Sequence, residues 1–177
     1  MDADLALKRI VRDLYVEGPW LMRKMMHFRL DICPFARLLE HVPQGSSVLD
    51  VGCGAGLFLA LAGATVGGVR GVGFDSSAIA IETAQEMAGR LRKVRPEVKM
   101  EFLHLDVGEP WPAGPFDVVS VVDVLHHVPA PYQRQVFRMA AEHLKPGGLL
   151  LYKDMANRPL YPATMNRLHD LLLARQW

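Results

Sequence analysis

Short apolar runs alternate with longer stretches of helical periodicity along most of the chain after residue 45. Five of these runs have the composition of buried strands, at residues 48–51, 69–74, 99–105, 116–122 and 149–152. The stretches between them predict helices over residues 57–65, 76–92 and 131–144, and a last helix from Leu160 carries Met165, Leu168 and Leu172 on one face. This alternation predicts an α/β fold with a Rossmann-like, doubly wound and mostly parallel sheet.

The first 45 residues show helical periodicity only. An amphipathic helix is predicted over residues 3–16, with Gly18-Pro19 at its end, and a short helix from Pro34 to Glu40. We therefore predict two parts, an N-terminal helical cap or lid over residues 1–45 and a Rossmann-like domain over residues 46–177.

A methionine-rich segment lies within the predicted cap. Its apolar side chains either fill the core or border an adaptable pocket for a hydrophobic substrate. The same two interpretations apply to an aromatic residue near the C-terminus. The residues concerned are Met22, Met25, Met26, Phe28 and Tyr161.

Four acidic residues follow directly after predicted strands: Asp75, Asp106, Asp123 and Asp154. Doubly wound sheets bind their ligands outside the carboxyl ends of the strands. The sequence therefore predicts a ligand site at this edge of the sheet.

The stretch VLDVGCGAGLFL, residues 48–59, leads from the first predicted strand into a helix. Its glycines follow the spacing Gly-x-Gly-x-Gly. The dinucleotide fingerprint Gly-x-Gly-x-x-Gly does not fit in either frame, because residues 57 and 59 are leucine. A phosphate-binding P-loop does not fit either, because no Lys-Ser/Thr pair follows the glycines.

Glycines at this spacing let a ligand approach the backbone closely. Asp50, at the end of the strand, is predicted to order the turn by accepting backbone N–H groups. Asp75 is predicted to accept hydrogen bonds from two vicinal ribose hydroxyls, since a carboxylate is an acceptor only. The predicted ligand is a nucleoside without a pyrophosphate.

Composition narrows the class of protein. The chain of 177 residues has a formal charge of +1, so no overall field attracts nucleic acid or an anionic membrane. Its two cysteines, Cys33 and Cys53, have no partners at zinc-ligand spacing, so no metal site is predicted.

The uncharged stretch 51–69 contains six glycines, which favours a buried strand–loop–helix unit over a membrane span. The N-terminus has no signal-peptide pattern, and we predict a cytoplasmic protein.

Five ordered motifs, taken together, resemble those of class I S-adenosylmethionine (SAM)-dependent methyltransferases. They are VLDVGCGAGLFL, GVGFDSS, HLDV, FDVVSVVDVLHHV and LKPGGLLLYKD, and they cover about residues 46–154. The chain is most similar to the small-molecule branch of this family, the methyltransferase type 11 or quinone-pathway group. The resemblance implies transfer of a methyl group from SAM to oxygen or carbon of a small hydrophobic acceptor of quinone, lipid or polyketide type.

The resemblance also implies roles for individual residues. The methionine half of SAM would lie against the glycine stretch, the ribose against Asp75, the adenine near Asp106 and the sulfonium near Asp123. The implied cofactor-binding residues are Asp50, Gly52, Cys53, Gly54, Gly56, Phe74, Asp75, Ser76, Asp106, Val107, Asp123 and Val124. His126 and His127 are the candidate general bases, because histidine titrates near neutral pH.

Other readings of the sequence stay open. One is a SAM-binding subunit that is non-catalytic or depends on a partner for turnover, and another is a nicotinamide oxidoreductase, which the glycine spacing disfavours. A nucleic-acid methyltransferase is disfavoured because the fourth strand is followed by Asp123-Val-Leu-His126 rather than Asn/Asp-Pro-Pro-aromatic. The family's last two strands are expected to be missing from the domain. We expect either that the sequence is a fragment of a longer chain or that a second subunit, as in a homodimer, covers the edge of the fifth strand.

Overall fold

The computed structural model describes residues 2–154, and the helix predicted from Leu160, with Tyr161, lies outside them. Within the described residues, five parallel strands form one sheet in the order β3-β2-β1-β4-β5. The strands are β1 (Ser47–Val51), β2 (Arg70–Asp75), β3 (Lys99–His104), β4 (Phe116–Val122) and β5 (Leu144–Lys153). The winding direction reverses between β1 and β4, and the predicted doubly wound fold is confirmed.

Six α-helices and one 3₁₀ turn surround the sheet in the described part of the chain. Three precede the first strand, α1 (Asp2–Leu14), α2 (Trp20–Ile32) and α3 (Phe35–Leu39). Three connect strands, α4 (Leu57–Thr65), α5 (Ala78–Val94) and α6 (Ala130–Glu142). The 3₁₀ turn, Leu125–His127, follows β4 and was not predicted.

Both faces of the sheet are buried. Val48 and Val118 face a core shared with α1 to α5, while Leu49 and Val119 face a second core that α6 and Trp111 complete. This alternation follows from the two-residue period of a strand. Because the N-terminal helices share the first core, they are packed on the sheet; a division into two parts at residue 45 stays a prediction.

Asp117 joins three strands at the amino end of the sheet. Its carboxylate accepts hydrogen bonds from Ser47 N–H at 2.8 Å and Ser47 Oγ at 2.7 Å, and pairs with Lys145 Nζ at 2.8 Å. The Lys145 ammonium and the Ser47 donors hold the pKa of Asp117 well below its ordinary value. This clamp lies at the end of the sheet opposite the predicted ligand site.

Several boundaries differ from the sequence prediction, most of them by a residue or two, and the differences at α5 and β5 have a structural cause. Ser77, rather than Ser76, caps α5, because Asp75 accepts the Ser77 N–H at 2.9 Å and Ser77 Oγ then accepts the Ala80 N–H at 3.2 Å. The strand β5 begins at Leu144 rather than at residue 149. Its pairing with β4 shifts register between Phe116 and Val118, so the segment Lys145–Gly148 forms an irregularity within the strand instead of a separate turn.

Candidate functional site

A cavity of ≈ 440 Å³ opens at the carboxyl ends of β1, β2 and β4. Its floor is the glycine turn, defined here as residues Gly52–Gly56, together with the residues that follow β2. Its roof is α2, hereafter the roof helix, which presents Met22, Met25, Met26 and Arg29 to the cavity. The position agrees with the general rule for ligand sites in doubly wound sheets.

All three glycines of the turn have positive φ, at +62° for Gly52, +54° for Gly54 and +76° for Gly56. They differ in what surrounds them. An added Cβ would lie 2.7 Å from Val124 Cγ2 at Gly52 and 2.7 Å from Phe102 Cε1 at Gly56, whereas at Gly54 no described atom lies within 4 Å. Gly54 lines the cavity, so its missing side chain leaves room for a ligand rather than for another part of the protein.

Asp75 fixes the glycine turn against the end of β2. One carboxylate oxygen accepts the Gly54 N–H at 2.8 Å, the other accepts the Ser77 N–H at 2.9 Å, and Cys53 N–H donates to the Phe74 carbonyl at 2.9 Å. The sequence analysis predicted that Asp50 orders the turn by accepting backbone N–H groups. In the structure, Asp75 accepts them instead. Each carboxylate oxygen retains a further acceptor position on the cavity side.

Asp50 has a different environment. It is 3% exposed, lines the cavity, and accepts a hydrogen bond from Ser120 Oγ at 2.6 Å. Burial raises the pKa of Asp50 to about 7, although the Ser120 hydrogen bond and the Arg29 charge act in the opposite direction. The prediction that Asp50 orders the turn was wrong: β4 brings Ser120 beside it, and Ser120 is its hydrogen-bond donor within residues 2–154.

An aromatic wall follows β2 and β3. Phe74 packs against Trp111 with ring centroids 5.3 Å apart, and Trp111 Nε1 donates to the Val107 carbonyl at 3.0 Å. Asp106 accepts the Gly108 N–H at 2.8 Å and so shapes the loop that carries Val107. Phe74, Asp106 and Val107 all line the cavity, so this end of it has two apolar side chains and a carboxylate.

The roof helix is held by side chains that are distant in sequence. Arg29 Nη2 lies 3.2 Å from Asp123 Oδ2, and Lys153 Nζ also pairs with the Asp123 carboxylate. Asp123 has a φ of +58°, a backbone conformation that costs about 1 kcal/mol for a residue with a side chain. On the other side, the Tyr15 hydroxyl donates to the Ala55 carbonyl of the glycine turn at 2.9 Å.

The 3₁₀ turn after β4 brings two histidines together. His127 lines the cavity, and its ring centroid lies 4.0 Å from that of His126. His126 Nδ1 lies 2.6 Å from Asp154 Oδ1, and the His126 backbone N–H donates to Asp154 Oδ2 at 3.2 Å. Asp154, at the end of β5, therefore fixes His126 through both its ring and its backbone.

Comparisons with known proteins support one family. The model of a methyltransferase domain matches residues 27–177. This chain belongs to the methyltransferase domain family. The class I SAM-dependent methyltransferase resemblance is therefore confirmed.

Among its relatives, this chain is 35% identical over 121 residues to a ubiquinone biosynthesis O-methyltransferase of Bordetella avium, a match that covers 66% of this chain and 45% of that protein. An O-methyltransferase family protein from Burkholderia thailandensis superposes with a TM-score of 0.62 at 24% identity, over 82% of this chain and 44% of the other. Coclaurine N-methyltransferase, bound to N-methylheliamine and S-adenosylhomocysteine (SAH), gives 0.61 at 18% identity, over 84% and 50%. The chain spans less than half the length of the curated relative, and the structural likenesses show the fold.

The cavity is lined by most of the residues that the sequence analysis identified. Eleven of the twelve predicted cofactor-binding residues line it: Asp50, Gly52, Cys53, Gly54, Phe74, Asp75, Ser76, Asp106, Val107, Asp123 and Val124. Gly56 instead begins α4 with a close approach to Phe102. His127 lines the cavity, while His126 lies beside it. Their roles as ligands or bases stay predictions.

Arg29 is the site residue that the sequence analysis missed. Its spacing from Met22, Met25 and Met26 places it on the same face of the roof helix, and that pattern is the signal that identifies it. Its Nε is buried and has no hydrogen-bond partner among residues 2–154.

Over those residues, no helix is both long and apolar enough to cross a bilayer.

Proposed function

We propose that this methyltransferase transfers a methyl group from SAM to oxygen or carbon of a small hydrophobic acceptor. The observation that carries the proposal is the geometry at Gly54. An open glycine with positive φ lies beside the Asp75 carboxylate at the cavity floor, so a ligand can contact the backbone and a double acceptor together.

The residues of the cavity fit the three parts of SAM. Asp75 would accept the ribose hydroxyls, and Phe74 with Val107 would border the adenine, near the Asp106 carboxylate. The Arg29 guanidinium, with its unpartnered buried Nε, suits the methionine carboxylate. Asp50 on the opposite side suits the cationic groups of the methionine half.

When bound, SAM supplies a methyl group that its sulfonium charge already activates. The protein then has to orient the acceptor and exclude water, and positioning of this kind lowers a barrier by several kcal/mol. The roof helix supplies an apolar wall of three methionines that adapts to a hydrophobic acceptor. His127 lines the same space and would accept the acceptor's proton.

The names of the curated relatives favour oxygen as the accepting atom, since they are O-methyltransferases that act in ubiquinone biosynthesis. A hydroxylated aromatic ring with an apolar substituent is accordingly the first acceptor class to test. The same names favour a catalytic protein over the alternative of a non-catalytic subunit.

Calorimetric titration of the full chain with SAH, with NAD as the control, tests the cofactor. We expect micromolar binding of SAH and no heat with NAD. Transfer of labelled methyl from SAM to hydroxylated aromatic compounds of graded apolar length then tests the acceptor class. Absence of SAH binding by a folded chain would contradict the proposal at its first step.

Three further sequence predictions remain. Light scattering of the protein as it elutes from a size-exclusion column tests for a homodimer that covers the β5 edge. A mobility-shift assay with duplex and single-stranded probes tests the predicted absence of nucleic-acid binding. Cytoplasmic location is tested by fractionation of the expressing cell.

A further inference from the structure

A second concave surface lies between α1 and α2, outside the methyl-transfer cavity. This groove measures ≈ 410 Å³ and has the buried side chain of Tyr15 at its base. Its rim carries basic residues, Arg12 from α1 and Arg23, Lys24 and His27 from α2, and among residues 2–154 no acidic residue lines it. We call this region the α1–α2 corner.

Two apolar side chains project from the α1–α2 corner into solvent. Trp20 is 62% exposed and Val16 is 47% exposed, although both residues border the groove. Lys24 Nζ lies 5.0 Å from the centroid of the Trp20 ring, so the indole face is already in contact with a cation. Tryptophan side chains are on average highly buried, so an exposed tryptophan among basic side chains suggests a binding surface.

The segment between α1 and α2, which carries Val16 and leads to Trp20, is fixed by a hydrogen bond from Arg23. Arg23 Nη1 donates to the Val16 carbonyl at 2.8 Å, and Arg23 Nε is buried without a partner among residues 2–154. Asp13 pairs with Arg12 at 3.2 Å and Glu17 pairs with Arg90, so the charge of Arg12 is compensated. Arg23 and Lys24 have no ion-pair partner among residues 2–154. The corner therefore presents uncompensated positive charge next to a fixed apolar tip.

We propose that the α1–α2 corner docks on the surface of an anionic phospholipid bilayer. Tryptophan partitions to the membrane–water interface because its ring is apolar and its N–H is polar. Lysine and arginine beside it are attracted to lipid phosphates over a Debye length. A pair of projecting side chains inserts into a fluid interface directly, whereas a stable protein partner requires a larger complementary surface. Charge complementarity and the projecting tip together favour the bilayer.

The corner lies close to the methyl-transfer cavity. The opposite face of the same helix presents Met22, Met25 and Met26 to the cavity, and Tyr15 at the base of the groove bonds to Ala55 of the glycine turn. Docking would place the roof helix between the lipid phase and the methyl-transfer cavity, so a hydrophobic acceptor taken from the lipid would have to pass around this helix to reach the methionines. This last consequence rests on the proposed function, but the docking itself does not.

Co-sedimentation of the full chain with lipid vesicles tests the docking without any activity measurement. We expect binding to phosphatidylcholine vesicles that contain about one third phosphatidylglycerol, and roughly tenfold weaker binding at high salt or without the anionic lipid. Trp20→Ala and Lys24→Glu should each weaken binding about tenfold. Both side chains are exposed, so the thermal midpoint should stay close to that of the wild type.

A matched control lies at the end of α5, where Lys93 and Val94 form another exposed basic and apolar pair. Lys93→Glu and Val94→Ala should leave vesicle binding unchanged. Equal losses in both pairs, or equal binding to neutral and anionic vesicles, would overturn the proposal. Failure to bind vesicles, together with a Trp20-dependent change in fluorescence on addition of polyglutamate, would assign the corner to an acidic protein instead.

Discussion

The floor and the roof of the cavity are held by different kinds of contact. In the floor, the Gly54 N–H of the glycine turn donates to Asp75, 21 residues further along the chain. In the roof, the Arg29–Asp123 ion pair joins side chains 94 residues apart. The floor is therefore fixed by local backbone geometry, while the roof helix depends on long side chains that can be changed without disturbing the sheet.

The two regions also differ in charge. The floor presents two carboxyl groups, Asp50 and Asp75, whose hydrogen bonds within residues 2–154 come from neutral donors. The roof presents Arg29 and, behind it, Lys153, with Asp123 as their shared partner. A cavity with acids below and a base above suits a zwitterionic ligand, and each prediction below changes one side of this pattern.

The largest effect is expected at Asp50, the buried acid of the floor. Its pKa in the folded protein is raised from 3.8 to about 7. Below pH 3.8 the carboxyl group is protonated in both the folded and unfolded states. Between pH 4 and 7 only the unfolded chain ionises it, so stability is lost as the pH rises, by up to roughly 4 kcal/mol.

Asp50→Asn removes this titration. The free energy of unfolding of the variant, minus that of the wild type, should therefore increase from pH 4 to pH 8. Urea unfolding at several pH values measures it, and the subtraction cancels groups of opposite sign such as Asp117. A difference that does not change with pH would show that the buried carboxyl group is not protonated in the folded state.

The second effect concerns cofactor affinity. Asp75→Asn leaves one acceptor oxygen in place of two, so either Gly54 N–H or Ser77 N–H loses its partner, and the acceptor for ribose is weakened. We expect SAH affinity to fall on the order of 100-fold, from the loss of charge-assisted hydrogen bonds. Calorimetry measures the dissociation constant. Glu82→Gln, exposed on α5, is the matched control and should bind SAH as the wild type does.

The difference between floor and roof also explains what the sequence could predict. The strands, the glycine turn and the acids at the strand ends follow from local patterns. Of the twelve cofactor-binding residues that the family resemblance implied, eleven line the cavity. Gly56 has the same spacing as its neighbours but packs under Phe102, a contact across the fold that spacing does not show.

Long-range contacts account for the other departures. The sequence shows Ser120 only as a polar residue within the apolar strand β4. The pairing of β4 with β1 is what brings it to Asp50. Arg29 and Asp123 meet because α2 packs over the end of β4. Ser76 and Ser77 are equivalent as caps in the sequence, and the Asp75 hydrogen bond selects between them. The Ser120 and Arg29 contacts arise from tertiary structure, so local propensity does not determine them. The choice of Ser77 is different, because it rests on a hydrogen bond between residues two positions apart.

A third prediction separates two glycines of the floor. Gly52→Ala and Gly54→Ala each place a side chain on a residue with positive φ, which costs about 1 kcal/mol. Only Gly52→Ala also drives its Cβ to within 2.7 Å of Val124, and this should add roughly 1–3 kcal/mol. Gly54→Ala should instead weaken SAH binding, because its Cβ enters the cavity.

Thermal unfolding and SAH titration of the same two proteins make the comparison. Gly54→Ala is expected to lose less stability than Gly52→Ala. Its SAH affinity is expected to fall by more than this small loss of stability would explain. Equal stability of the two variants would mean that Val124 moves aside, and unchanged SAH affinity in Gly54→Ala would place the ligand away from the turn.

The smallest effect is expected in the roof. Arg29→Met keeps the apolar contacts of the roof helix but removes its ion pair, while Asp123 keeps Lys153 as a partner. We expect a coupling energy of about 1 kcal/mol in a double-mutant cycle of Arg29→Met and Asp123→Asn, since both side chains are partly buried. SAH affinity should fall several-fold in Arg29→Met, because the methionine carboxylate loses its partner. Lys8→Met, which breaks the exposed pair with Asp31, is the control and should leave SAH affinity unchanged. A coupling energy near zero would show that Arg29 contributes to the site by itself and that the roof helix is held by its methionines.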